Sequence, residues 1–166
     1  MYSVEVFLTI SPPPNMIKYN WMNQAAGHKI FTAMDQDEIA ALGASLRQID
    51  QRLLTPSKEE GTTRLWYQGG EPYFDVFLEL RRGKIEWFQF TLRGQSLSWN
   101  PQISGWQTGT TNEFRTDDVA FYPASKLIES DKRQDFAFIE LVRSILQTRA
   151  GEEIFDKILA LFDTRD

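Results

Sequence analysis

Two carboxylates, Asp75 and Glu79, are the side chains with the clearest capacity for chemistry, since alternation places both on one face of a predicted strand. A pair of carboxylates can supply an acid and a base to one reaction. Aromatic side chains predicted beside them would form flat walls suited to a neutral or ring-shaped substrate. Asp75 and Glu79 are therefore candidate catalytic residues of a small hydrolase-like enzyme.

Other catalytic and metal chemistries have little support in the composition. The chain has no cysteine and one histidine, which excludes thiol nucleophiles, disulfides and metal sites built from Cys or clustered His. The densest acidic groups suit a surface turn and a charged first turn of a helix better than a cation site: Asp117 and Asp118, and Asp35, Asp37 and Glu38. The sequence predicts no metal and no other cofactor.

The candidate carboxylates lie in a predicted β-hairpin that spans residues 73–99. Apolar and polar residues alternate on both sides of Arg81-Arg82-Gly83, and we expect a three-residue loop there with Gly83 left-handed, which pairs Leu80 with Lys84. One face is then apolar and forms the core: Phe74, Val76, Leu78, Leu80, Phe88, Phe90 and Leu92. Ile85 is predicted on the opposite face.

That opposite face combines aromatic and charged side chains, and a preceding strand at residues 62–68 extends it. Such a composition is typical of pockets and of protein interfaces. The predicted ligand- or partner-binding residues are Arg64, Trp66, Tyr73, Phe77, Trp87, Gln89 and Arg93. The alternative is that a helix or the N-terminal segment covers this face and leaves the charges at its rim.

Helical spacing and turn residues predict the elements around the hairpin. Asp35 and Glu38 form a capping box, and apolar residues then recur as far as Leu53, so a helix should run from Asp35 to about Leu54. Two amphipathic helices, interrupted at Gly151, should cover the apolar sheet face. The parity of the apolar positions changes after Gly94, which suggests a bulge or bend.

Several segments are less well defined by their pattern. Residues 2–10 and 119–122 are predicted strands, residues 15–26 suit either a short helix or a loop, and residues 103–115 suit either edge strands or a long loop. Within the last segment, residues 104–113 are a second candidate for recognition. The predicted fold is α+β, a mainly antiparallel twisted sheet of about five strands with helices on one face, in a single domain spanning residues 1–166.

Charge and hydropathy restrict the partners. Eighteen basic and 23 acidic residues give a net charge of -5, which repels a phosphate backbone and argues against a nucleic-acid ligand. The first ten residues alternate and lack a basic start, so we expect no signal peptide, no membrane span and a cytoplasmic location. The favoured function is a non-catalytic binding or adaptor module for a protein segment or small ligand, with the enzyme as the alternative.

Overall fold

The computed structural model describes residues 34–54, 56–57, 59–103, 105–111 and 128–163, and shows an antiparallel sheet with three α-helices. The sheet has the strand order β1 to β7, so each strand pairs with the next one along the chain. The α+β prediction is confirmed, with seven strands in place of about five. The predicted elements at residues 2–10, 15–26 and 119–122 lie outside the described residues. The elements are α1 (Gln36–Ser45), β1 (Arg47–Gln48), β2 (Thr62–Gln68), β3 (Asp75–Arg81), β4 (Lys84–Leu92), β5 (Gln95–Asn100), β6 (Gly105–Thr111), β7 (Ile128–Ser130), α2 (Phe136–Gln147) and α3 (Glu153–Asp163), with 3-10 turns at Gln51–Leu53 and Pro101–Ile103.

The β3–β4 hairpin has a two-residue turn, so the predicted three-residue loop was wrong. Arg82 and Gly83 have φ angles of 50° and 79°, the double left-handed pattern of a type I′ turn, whose twist matches that of the strands. A bulge follows, because Leu80 pairs with Ile85 and Glu79 pairs with Trp87. Glu86 is the extra residue, and its insertion restores the alternation that a two-residue turn would otherwise invert.

The bulge preserves the predicted division of the two faces. All seven residues of the predicted apolar face are buried. Ile85 is the exception to the prediction for the opposite face, since it pairs with Leu80 and belongs to the same buried cluster. The change of parity after Gly94, for which a bulge or bend was expected, comes from a tight turn: Arg93 and Gly94 form a second left-handed two-residue turn that pairs Leu92 with Gln95.

Helix α1 begins at the predicted cap, where the Asp35 carboxylate accepts a hydrogen bond from the Glu38 amide at 2.7 Å, but it ends at Ser45. Leu46 is extended, and the amide of Ile49 donates to the carbonyl of Trp66 at 2.8 Å. The chain therefore leaves the helix and passes the edge of the sheet. Leu46 packs on the helix side, whereas Ile49 packs on the opposite side, so the predicted helix to Leu54 was wrong.

Helix α1 is held against the turn between α2 and α3. Arg149 Nη1 donates to the carbonyls of Gly43 and Leu46 at 3.1 and 2.9 Å, so a residue outside α1 caps its C-terminus. A Cβ at Gly43 would lie 1.8 Å from Thr148 Oγ1. Only glycine permits this close approach of the two segments.

The main core lies between the sheet and the helices. The apolar stripes predicted for α2 and α3 meet the apolar sheet face, with Phe138 and Phe90 in edge-to-face contact at 6.3 Å. Gly151, at φ 94°, separates the two helices as predicted. Residues 103–115, for which the sequence allows either edge strands or a long loop, contain strand β6. No helix among the described residues is both long and apolar enough to cross a membrane.

Candidate functional site

Most of the predicted binding residues lie on the sheet face opposite the helices, which is called the mixed face below. Pairing between β2, β3 and β4 arranges them in two adjacent rows. One row is Trp66, Phe77 and Gln89, and the other is Arg64, Glu79 and Trp87. Asp75 lies on the same face, opposite Gln68 and Thr91.

Tyr73 and Arg93 are displaced from this group because both lie in connections. Tyr73, at φ 61°, lies in the loop before β3. Arg93 donates from Nε and Nη2 to Glu71 at 2.8 and 2.6 Å, and from Nη2 to Glu38 at 2.8 Å. The hydrogen bonds to Glu71, followed by the one to Glu38, raise the pKa of Arg93 despite its partial desolvation. Arg93 therefore joins α1 to the β2–β3 loop.

The aromatic part of the mixed face is a second, small core. Leu54, Trp66 and Phe77 are buried, and Ile49 and Trp87 pack against them. Phe77 and Trp87 meet edge to face at 5.3 Å. The segment after α1 therefore covers Trp66 and Phe77, whereas Trp87 is half-buried.

The charged groups of this face are bound to neighbours on the face. Arg64 Nε donates to Glu79 at 2.7 Å, and Trp66 Nε1 donates to Asp75 at 2.9 Å. Asp75 and Glu79 are four residues apart, which is about 13 Å along a strand. Paired carboxylates in glycosidases are separated by about 5 to 10 Å. The spacing of the two residues along β3 therefore argues against the hydrolase-like alternative.

Two surface hollows lie elsewhere on the described part of the chain. One, of about 740 Å³, is lined by charged side chains at the β3–β4 turn, including Glu59, Arg81 and Lys84. The other, of about 420 Å³, lies between the sheet and α3 and includes Leu65 and Ile154. Neither is lined by Asp75 or Glu79, so the two carboxylates have no pocket there in which to hold a substrate.

Strands β5 and β6 extend the mixed face, which the sequence did not reveal. Ser98 and Gln107 continue the row of Gln89, and Asn100 follows Ser98 two residues further along the same face of β5. The signal that would have found them is the alternation of Ser96, Ser98 and Asn100 with Leu97 and Trp99. The polar surface beside Trp87 is therefore larger than predicted.

No group of three or more acidic or histidine side chains suited to a metal ion occurs among the described residues. Comparisons of the chain with models of protein families, with curated proteins and with solved structures find no match. The site must therefore be interpreted from its own chemistry.

Proposed function

We propose that this chain is a non-catalytic binding module that holds a small ligand or a protein segment on the mixed face at Trp87 and Gln89. The observation that carries the proposal is the contrast between Trp87 and its neighbours. Trp66 and Phe77 are 5% and 9% exposed and are packed, whereas Trp87 and Gln89 are half-buried and border the polar surface of β5. A partly exposed aromatic ring on a rigid sheet is a typical anchor for a ligand.

The hydrogen bonds that the carboxylates of this face already accept favour binding over catalysis. Acid-base catalysis requires a group that can reach the reacting proton, and the carboxylates on this face each accept a hydrogen bond from a neighbouring side chain. These bonds instead fix the side chains around Trp87. A site whose residues are fixed before the ligand arrives loses less conformational entropy on binding.

The tryptophans make the proposal testable without knowing the ligand. A chain labelled with 5-fluorotryptophan gives one fluorine signal for each of its five tryptophans, and single Trp→Phe variants assign them. In a fragment screen, we expect the signal of Trp87 to shift for the majority of the fragments that bind. Shifts confined to Trp99 and Trp106, which lie on the helix side of the sheet, would refute the proposal.

Matched variants separate binding from folding. Gln89→Ala should weaken the binding of those fragments, since Gln89 lies on the mixed face beside Trp87. Gln147→Ala makes the same change on the exposed surface at the end of α2 and should leave binding unchanged. Equal effects of the two substitutions would contradict the assignment of the site.

A further inference from the structure

Beyond Lys84 and the bulge at Glu86, the half of the mixed face formed by β4, β5 and β6 has no charged side chain. From Trp87 to Thr111, the ten residues on this side of the three strands are all neutral, although a quarter of the whole chain is charged. They are Trp87, Gln89, Thr91, Ser96, Ser98, Asn100, Gly105, Gln107, Gly109 and Thr111. Thr91, Ser96 and Gly109 are buried, so the other seven residues form the accessible part, which offers hydrogen bonds but no ionic contact.

The charged side chains next to Trp87 and Gln89 are already paired, and the exposed Lys84 lies five residues from Gln89, about 16 Å along the strand. Arg64 and Glu79 form an ion pair with each other at 2.7 Å, and Asp75 accepts from Trp66. A charged ligand would have to displace one of these partners or lie unpaired beside the neutral half. Both arrangements cost free energy, so the electrostatics favour an uncharged ligand.

The neutral groups have hydrogen-bonding capacity left over. The side-chain amides of Gln89 and Gln107 form no hydrogen bond with another described residue, and Ser98 Oγ makes only a long contact of 3.4 Å to the carbonyl of Gln107. Each amide presents both a donor and an acceptor. Gln89, Ser98 and Gln107 lie opposite one another on adjacent strands, so the row spans about 10 Å.

A row of groups that both donate and accept hydrogen bonds, next to one aromatic ring, fits a specific chemistry. Sugar hydroxyls are donors and acceptors at once, and the C–H faces of a pyranose ring can lie on the electron-rich face of an indole. We infer that the ligand of the mixed face is a neutral saccharide, held by Trp87 and by the row of Gln89, Ser98 and Gln107. This inference rests on the proposed function and names the class of its ligand.

The test uses neutral oligosaccharides of one length as probes. Cellohexaose, maltohexaose and N-acetylchitohexaose are titrated into the full chain carrying 5-fluorotryptophan. At least one should bind saturably with a Kd of about 1 mM or tighter and shift the signal of Trp87. Gln107→Ala and Gln89→Ala should each weaken that binding by about tenfold, and Gln147→Ala should not change it.

Two further probes give the opposing outcomes. Hexagalacturonate has a similar length but carries charge, and an acetylated and amidated Ser-Gly-Thr hexapeptide is neutral but is not a sugar. Failure of all three neutral sugars at about 10 mM, or equal binding of hexagalacturonate, would overturn the inference. If only the peptide, or fragments from the earlier screen, shift Trp87, the saccharide inference fails while the proposed function stands. If nothing shifts Trp87, both fail.

Discussion

The turns Arg82-Gly83 and Arg93-Gly94 allow a test of how much the ion pairs of an arginine contribute to stability. They share a backbone geometry and differ in the surroundings of the arginine. Arg82 and Arg93 have φ angles of 50° and 49°, and each is followed by a left-handed glycine. The Arg82 side chain is exposed and forms no ion pair with another described residue. Arg93 binds Glu71 and Glu38. We expect Arg82→Asn to stabilise the protein and Arg93→Asn to destabilise it.

The magnitudes follow from the conformation and from the contacts. A left-handed L-residue costs about 1 to 2 kcal/mol, and asparagine tolerates this conformation better, so Arg82→Asn should gain about 0.5 to 1 kcal/mol. Arg93→Asn gains the same at the turn but loses two ion pairs. Because the Arg93 side chain is 34% exposed, solvent screening limits these pairs to about 1 to 2 kcal/mol together. The expected net loss is about 1 kcal/mol, within a range of about 0 to 1.5 kcal/mol.

Urea unfolding followed by tryptophan fluorescence measures both changes. The slope of the unfolding free energy against urea concentration should be the same for all variants. In thermal unfolding, each kcal/mol of change in stability should move Tm by about 2 to 4 °C. The turns lie at opposite ends of β4, so the effects should add in the double variant. Changes of the same sign in the two single variants would refute the assignment of Arg93 to an ion-pair role.

Three other predictions concern the core, a buried amide and the response to pH. Phe88→Ala should cost about 3 to 5 kcal/mol of unfolding free energy because Phe88 is fully buried, whereas Trp87→Ala should cost less; similar losses in urea unfolding would mean that Trp87 is fully packed. Gln95 is 5% exposed and neither polar atom of its side-chain amide has a hydrogen-bond partner among the described residues, so Gln95→Met should raise Tm, and a lower Tm would indicate a bond that the amide does make. Burial, reinforced by Glu152 and opposed by Arg149, raises the pKa of Tyr67. The folded state then holds this proton more tightly, so stability should fall as pH rises from about 10 through the folded pKa, and Tyr67→Phe should flatten the fall measured by urea unfolding at each pH.

The two sheet faces were predictable because side chains alternate with a period that a single sequence reveals. Val76, Leu78 and Phe88 could be assigned to the core without knowledge of the exact pairing, since the turn and the bulge together preserve parity. The turn itself was not predictable, because arginine in a left-handed conformation is uncommon and Glu86 has no feature that identifies it as a bulge.

The end of α1 escaped prediction for a different reason. Ile49 and Leu53 continue the helical spacing of Leu42 and Leu46, yet Ile49 packs across the sheet edge and Leu53 is 67% exposed. Tertiary contacts, including the cap from Arg149, override the local periodicity. The same error affects the prediction for the candidate site, because the segment that follows α1 covers Trp66 and Phe77.

The sequence does not distinguish a strand from a loop at β6, because the positions of β6 that face the helices are not apolar enough to show alternation. Thr108 is 2% exposed and accepts a hydrogen bond from the amide of Asp135 at 3.0 Å, so a polar residue occupies a core position. The neutral half of the candidate site therefore became visible only once β6 was placed beside β5.

The sequential strand order also determines how the sheet can form during folding. Each strand from β2 to β6 meets its partner after a short connection, and short loops close quickly and at low entropic cost. The helices that cover Phe88 and Phe90 follow all seven strands. Before residues 136–163 have been synthesised, a nascent chain would therefore expose an apolar sheet face. Its folding should become cooperative only when α2 and α3 dock.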